Sequence, residues 1–408
     1  MVDGMNDGGA GQQVLDGVTV VEFGEQVAAP FCAKLLADFG ATVIKIEPPG
    51  GGDPAREAGP FPDSGPNREA SALYLYLNTN KQSVTLDLDQ RAGQDLALRL
   101  VEQADLVVEN LPTGYLDKRG LGYAAVRERN PKAVYVSLSA WGHSGPWAHW
   151  QATNLVSFAT GGQMQLTGDE DREPLKTGGE QADYQLGLNG FSAALVALWD
   201  ALETDRGQYV EIAAQEVMAS TLEIALNTYA YTGMDVWGSR RGNIVSSIMG
   251  IFPCVDGYIG IHAMPRNFPP LAATMGMPEL ATDERFSSPA GRLQNGDELT
   301  AIIYGWAAGQ QKHEAYARAG SMRGPVAFVH DMADLFSSPQ LQARHYLHEL
   351  DTPAAGRITV PGAPFQMSES PARVGRAPLL GEQTAAILRG RLGLSDADLR
   401  TLAGQGVI

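Results

Sequence analysis

The chain has 408 residues, 44% of them hydrophobic, and carries a formal net charge of -17 with an isoelectric point near 4.8. That length exceeds one ordinary core and implies two domains, or one large domain with an insertion. So acidic a surface excludes nucleic acid and anionic membranes as general partners, and any anionic ligand must find a local basic pocket.

The first residues, MVDGMNDGGAGQQ, lack the apolar stretch of a secretory signal. No apolar run reaches membrane-spanning length. The only two cysteines, Cys32 and Cys254, sit in apolar surroundings without metal-ligand spacing, so a reduced, cytoplasmic protein without a metal is expected.

The elements then alternate. The run 18–23 (VTVVEF) reads as a strand, 29–39 (APFCAKLLADF) as a helix and 41–47 (ATVIKIE) as a second strand closed by PPGGGDP. Some thirty residues for strand, helix and strand fit a right-handed βαβ unit. Strands at 83–88, 106–109 and 133–138 follow, with helices at 91–103 and 123–129 between them. Repeated βα units predict a mostly parallel sheet covered on both faces. A long helix over 187–203, a strand over 209–212 and a helix over 215–231 come next. From about 233 to 330 the texture changes to Gly, Met, aromatic and Pro-bounded pieces, with Asp256-Gly257 as a tight turn between two β-rich runs. The segment ITVPGAPFQMSES and a last helix over 382–394 return to the first domain. The expected fold class is α/β: a large domain with a parallel sheet (1–225 and 336–408) plus a smaller α+β domain (226–335).

Several residues carry possible chemistry. Glu47 ends the second strand, where a dinucleotide-binding fold holds a ribose. However, the preceding turn reads Gly24-Glu25-Gln26-Val27-Ala28, not G-x-G-x-x-G, so a nicotinamide cofactor is disfavoured. The loop PGGGDPAR, ending in Arg56, is either a phosphate cradle or a flexible connector. Lys118 and Arg119 follow a strand end and a Pro-Gly turn, a position that meets ligands in open α/β sheets; a solvated pair is the alternative. The seven histidines show no metal spacing, and ARHYLHEL, with His345 and His348, reads as an amphipathic helix. With no G-x-S-x-G elbow, P-loop or CxxC, Asp183 remains as candidate nucleophile, against its ordinary reading as an N-cap before a long helix.

LLADFGATVIKIEPPGGGDPAR, NTNKQSVTLDL, ADLVVENLPTGYLDKRGLGY, NPKAVYVSLSAWGHSGP and RAPLLGEQT, in this order, resemble class III (CaiB/BaiF-type) CoA-transferases from about residue 15 to the C-terminus. The resemblance implies a Rossmann-like large domain, a small domain on two linkers and an interlocked dimer, a homodimer or a heteromer. It implies coenzyme A or acyl-CoA and a carboxylic acid as substrates, with no permanently bound cofactor. In this family the nucleophile is an aspartate in an Asp-x-x-x-Gly context, here Asp183 to Gly187. The family's CoA contacts fall on Gln26, Val27, Leu86, Asn110, Leu111 and Lys118, with Arg119 beside the last. Pro48 occupies a position that is basic in formyl-CoA transferase, and Arg56 is the candidate to replace that charge. Asn154 stands where that enzyme has a glutamate near its nucleophile and is placed with the ligand contacts. RRGNIVSSIMG replaces a glycine-run flap.

Two further readings stay beside the transferase. An acyl-CoA racemase or isomerase is disfavoured, because Asn154 replaces the acid such enzymes use. A non-catalytic CoA-binding subunit is the other. Trp141, Trp147, Trp150, Phe158 and Met249 hint at an acid larger than formate, and succinyl-CoA is the suggested donor.

Overall fold

The computed structural model describes residues 13–63, 65–168, 172–222, 225–234 and 248–408. They divide into two compact units, one of the described residues within 13–163, 177–221 and 342–408 and one of those within 164–176 and 222–341. The segment 164–176, read from sequence as part of the large domain, belongs to the smaller unit.

The larger unit is built on a six-stranded sheet: β1 (Thr19–Phe23), β2 (Thr42–Glu47), β3 (Gln82–Thr85), β4 (Leu106–Glu109), β5 (Val134–Ser139) and β6 (Tyr209–Ala213). The order is β3-β2-β1-β4-β5-β6, and every pairing is parallel. β1 and β4 are buried along their whole length, as near-continuous apolar strands in a sheet covered on both faces must be. This is the doubly wound order, whose switch point lies between β1 and β4; ligands of such sheets bind beyond the carboxyl ends there.

The helices are α1 (Ala28–Asp38), α2 (Ala72–Leu77), α3 (Arg91–Val101), α4 (Tyr123–Arg129), α5 (Asn154–Thr160), α6 (Gln181–Thr204) and α7 (Ala214–Ser220). α6 starts six residues before the expected 187, because the polar turn Gln181-Ala182-Asp183 precedes its apolar stripe. The helix expected over 215–231 is two helices; α7 stops at the Thr221 cap and a second runs Ala225–Thr232. C-terminal helices Thr384–Leu392 and Asp396–Gly404 place Leu388, Leu399 and Val407 in one core with Val21, Ile44, Val84 and Val107. The segment ARHYLHEL is no helix: His345 has φ 49° and a strand starts at Leu347, forming an antiparallel hairpin of Leu347–Thr352 with Gly356–Pro361.

The smaller unit holds a three-stranded antiparallel sheet, β7 (Ile248–Cys254), β8 (Gly257–Ala263) and β9 (Val326–Phe328). Its own core comprises Phe252, Ile259, Leu271, Phe286, Ile303 and Trp306 among others. A tight turn does join the two β-rich runs, but its two residues are Val255 and Asp256, and Gly257, expected in the turn, opens β8 opposite Cys254. No helix among the described residues is long and apolar enough to cross a membrane.

Candidate active site

The carboxyl ends of β1, β2 and β4 hold buried charges that the sequence shows only as scattered polar residues, Glu22, Lys45, Glu47 and Glu109, among apolar ones. Glu22 on β1 lies directly across from Lys45 on β2, and their side chains meet at 3.0 Å. Lys45 also reaches Asp53 at 2.8 Å and donates to the carbonyl of Gly24 at 2.7 Å. Lys81 bonds Glu22 at 2.8 Å and donates to the carbonyl of Pro30 in α1. Burial alone would depress the Lys45 pKa, but Asp53 and Glu22 hold it above its ordinary value.

This network sets the turn that opens α1. Asp53 accepts from the backbone N–H of Gln26 at 3.0 Å, and Asn110 at the end of β4 clamps Glu25 through both its N–H and its carbonyl. Held this way, Gln26 adopts φ 61° and stays exposed, while Val27 is buried at the start of α1. Gly24 leaves no choice of residue, since a Cβ there would stand 2.6 Å from that of Ala29.

A cleft opens at this switch point, lined by Gly24, Glu25, Asp53, Leu86, Leu111 and Tyr115 among others. Leu86 and Leu111 thus line one cleft, beside the Gly24 to Val27 turn that Asn110 holds through Glu25. Arg119 stacks over the ring of Tyr115 at 3.6 Å and pairs with Asp89. Lys118 is exposed one residue away.

Arg56 does not join them. It is fully buried, bonds Glu47 through two nitrogens at 2.8 and 2.9 Å, pairs with Glu69 and lies 3.7 Å from the Tyr74 ring. A guanidinium saturated by two carboxylates does not replace a phosphate-binding cation. Its partner Glu47, raised by burial but lowered more by Arg56, ends at about 2. The loop PGGGDPAR thus anchors the β2 end.

Asp183 lies in the first turn of α6, behind Glu180 at the cap position, so it is not the N-cap. It accepts from Asn154 Nδ2, the first residue of α5, at 3.2 Å. Gly187, one turn on and on the same face, packs against α1, where a Cβ would meet the Ala28 carbonyl at 2.5 Å. Tyr184 fixes the contact further, its ring edge-on to Phe31 at 5.0 Å. The glycine in the Asp-x-x-x-Gly pattern thus brings the face that carries Asp183 onto the opening turn of α1. The first N–H groups of that helix have no acceptor within it and form a positive end.

A second acid, which the sequence reading did not single out, is Glu109 at the end of β4. Its carboxyl accepts from the Leu111 N–H at 2.8 Å and from Ser137, whose Oγ lies 2.7 Å from His143 Nε2. Burial pushes its pKa up to about 7. The folded protein thus keeps a proton that the unfolded chain releases above about 4.5. Stability from this group is greatest below that pH and is lost as pH rises to 7, by roughly 3 kcal/mol in all. Glu109→Gln should flatten this slope: relative to the native chain it gains at pH 8 and not at pH 4.5 in urea unfolding. Equal changes at both values would refute the assignment.

Of the aromatic residues suggested for an acyl pocket, Trp147 in the larger unit meets Trp141 edge to face and stacks on Trp150, which is largely exposed. Phe158 is core. Met249 lines a cleft of about 1260 Å³ inside the smaller unit with Phe252, Ile261 and Tyr304. Residues 240–247 of the RRGNIVSSIMG segment lie outside the described residues. No cluster of three or more metal-ligating side chains occurs among the described residues.

The family model described as CoA-transferase family III matches residues 15–384. A succinyl-CoA–D-citramalate CoA-transferase of Chloroflexus aurantiacus is 34% identical over 97% of this chain and 98% of its own length. A formyl-CoA:oxalate CoA-transferase of Streptomyces avermitilis is 30% identical over 97% of this chain and its whole length. Among solved structures, a CaiB/BaiF family protein from Brucella suis superposes with a TM-score of 0.83 at 32% identity, over 93% of this chain and 100% of its own.

Proposed function

This chain belongs to CoA-transferase family III and is a CoA-transferase, and from that premise we propose that it moves CoA from an acyl-CoA to a carboxylic acid through covalent catalysis by Asp183. The observation that carries the reading is the placement of Asp183. It is held by Asn154 in the first turn of α6, on the face that Gly187 seats against the start of α1.

The Asp183 carboxylate attacks the donor thioester carbonyl, forming a mixed anhydride and releasing CoA thiolate. The thiolate attacks the aspartyl carbonyl, giving an enzyme–CoA thioester and the free donor acid. The acceptor carboxylate then attacks that thioester, and the thiolate finally takes the acceptor acyl group and frees Asp183. The thioester energy is kept at every step, so no ATP is needed. Backbone N–H groups at a helix start stabilise the developing oxyanion.

Gln26, Val27, Leu86, Asn110 and Leu111 form the CoA cleft, and Lys118 with Arg119 meets the phosphates. The relatives' names support succinyl-CoA as the donor to test first. A racemase is disfavoured, because the neutral Asn154 amide is neither an acid nor a base near neutral pH and cannot shuttle a proton as a carboxylate does. The face of α6 that exposes Val196, Trp199 and Leu202 supports association into a dimer. The buried Cys32 suits a reducing cytoplasm.

Incubation with succinyl-CoA and hydroxylamine is expected to convert Asp183 to its hydroxamate, read by peptide mass spectrometry. Sustained transfer with no modification between Gly179 and Gly190 would refute the nucleophile.

A further inference from the structure

Asn154 is 6% exposed, and its amide is used on one side only. Nδ2 donates to Asp183 Oδ2, whereas Oδ1 is buried and accepts no hydrogen bond among the described residues. Turning the amide over gives no relief, since Oδ1 would then face a carboxylate oxygen. A buried amide carbonyl left in this state costs roughly 1–3 kcal/mol. It therefore awaits a donor, and its position beside the nucleophile says where that donor belongs.

The reach is short. The two heteroatoms of an amide stand roughly 2.3 Å apart by standard bond lengths. A donor hydrogen-bonded to Oδ1 along the same amide edge then lies within roughly 5 Å of Asp183 Oδ2. A carbonyl carbon poised for attack sits about 3–3.5 Å from the attacking oxygen. A hydroxyl on the carbon next to that carbonyl, or on the one after it, spans the gap. The nearer amide N–H of the CoA arm is set back from the same carbon by a sulfur and two methylenes.

We infer that Asn154 Oδ1 accepts a hydrogen bond from a hydroxyl on the substrate acid, so the enzyme selects 2- or 3-hydroxy carboxylic acids. The inference rests on Asp183 as nucleophile. Asn154 discriminates without proton transfer, because the carbonyl oxygen of a neutral amide only accepts a hydrogen bond. An acid lacking the hydroxyl leaves Oδ1 buried and unpaired in the transition state, which is how polar sites reject deoxy analogues.

The test is transfer from succinyl-CoA to glutarate, 2-hydroxyglutarate and 3-hydroxyglutarate, by native protein and by Asn154→Leu. In the native protein kcat/KM for one or both hydroxy acids should exceed that for glutarate by roughly tenfold or more. In Asn154→Leu all rates fall, and the ratio collapses to within about threefold of one. Three results overturn the inference: a native ratio near one, a ratio unchanged in the variant, or acylation of Asp183 without transfer to either hydroxy acid. A variant that instead raises KM for succinyl-CoA and keeps the hydroxyl preference would assign Oδ1 to the CoA arm. Absence of Asp183 acylation would remove the nucleophile itself, a failure separate from loss of discrimination.

Discussion

Replacement of Asp183 by alanine is expected to lower CoA transfer by about 10⁴-fold or more while leaving CoA affinity within a few-fold of native. The split follows from the fold. The CoA cleft is formed at the ends of β1 to β4, by turns that Asn110, Asp53 and Lys45 hold in place. None of those bonds involves α6. Loss of an acid from the first turn of a helix costs only about 0.3–1 kcal/mol, so the variant should fold. Asp183→Asn should be as inactive, because an amide is no nucleophile, although it keeps the shape beside Asn154. Steady-state transfer and calorimetric titration with CoA measure the two quantities. A residual rate above about 1% would point to another nucleophile.

The largest stability effect is expected at Lys45. It is wholly buried among Glu22, Asp53 and the Gly24 carbonyl. Lys45→Met removes the cation and leaves Glu22 with Lys81 alone and Asp53 without a counter-charge. Breaking a buried pair from one side costs about 3–5 kcal/mol. Chemical denaturation should show a loss of that size. The surviving folded protein should also show a raised KM for acyl-CoA, because the Gly24 to Val27 turn loses an anchor. The double variant Lys45→Met/Glu22→Gln should recover part of the loss. A cost below about 1 kcal/mol for the single variant would mean that water or other donors already satisfy these carboxylates.

The parallel sheet was readable because most of its strands are short apolar runs, the first two bounded by glycines, with helical stretches between them. The strand order was not, since no local pattern records that β4 lies beside β1. The site was readable only in part. Asp183 stood out as an acid before a long apolar helix, but the hydrophilic GGEQAD hid that the helix had already begun. Arg56 looked available because sequence shows the glycines around it and not Glu47, nine residues back, folding onto it. Glu109 drew no attention as a single acid closing a valine-rich strand. Its significance comes from Ser137 and His143 on a neighbouring strand and loop. The final helix has a local signal of its own, since Ser395 and Asp398 form a reciprocal capping box shortly after Gly393.

The return of the chain's end to the first sheet bears on biosynthesis. Ile387, Leu388, Leu392, Leu399 and Val407 cover the same hydrophobic surface as strands made from residue 19 onward, and the Asp87 amide bonds the Val407 carbonyl. On the ribosome, residues 222–341 emerge complete before that lid exists. The smaller unit therefore has its whole sequence while the parallel sheet, packed on that side by Leu96, Leu100 and Val126 of its own helices, still lacks the rest of its cover. Termination after the sheet is complete at Ala213 but before residue 384 leaves Val21, Ile44, Val84 and Val107 without the apolar cover of Ile387, Leu388, Leu392 and Leu399, a surface that chaperones and proteases bind.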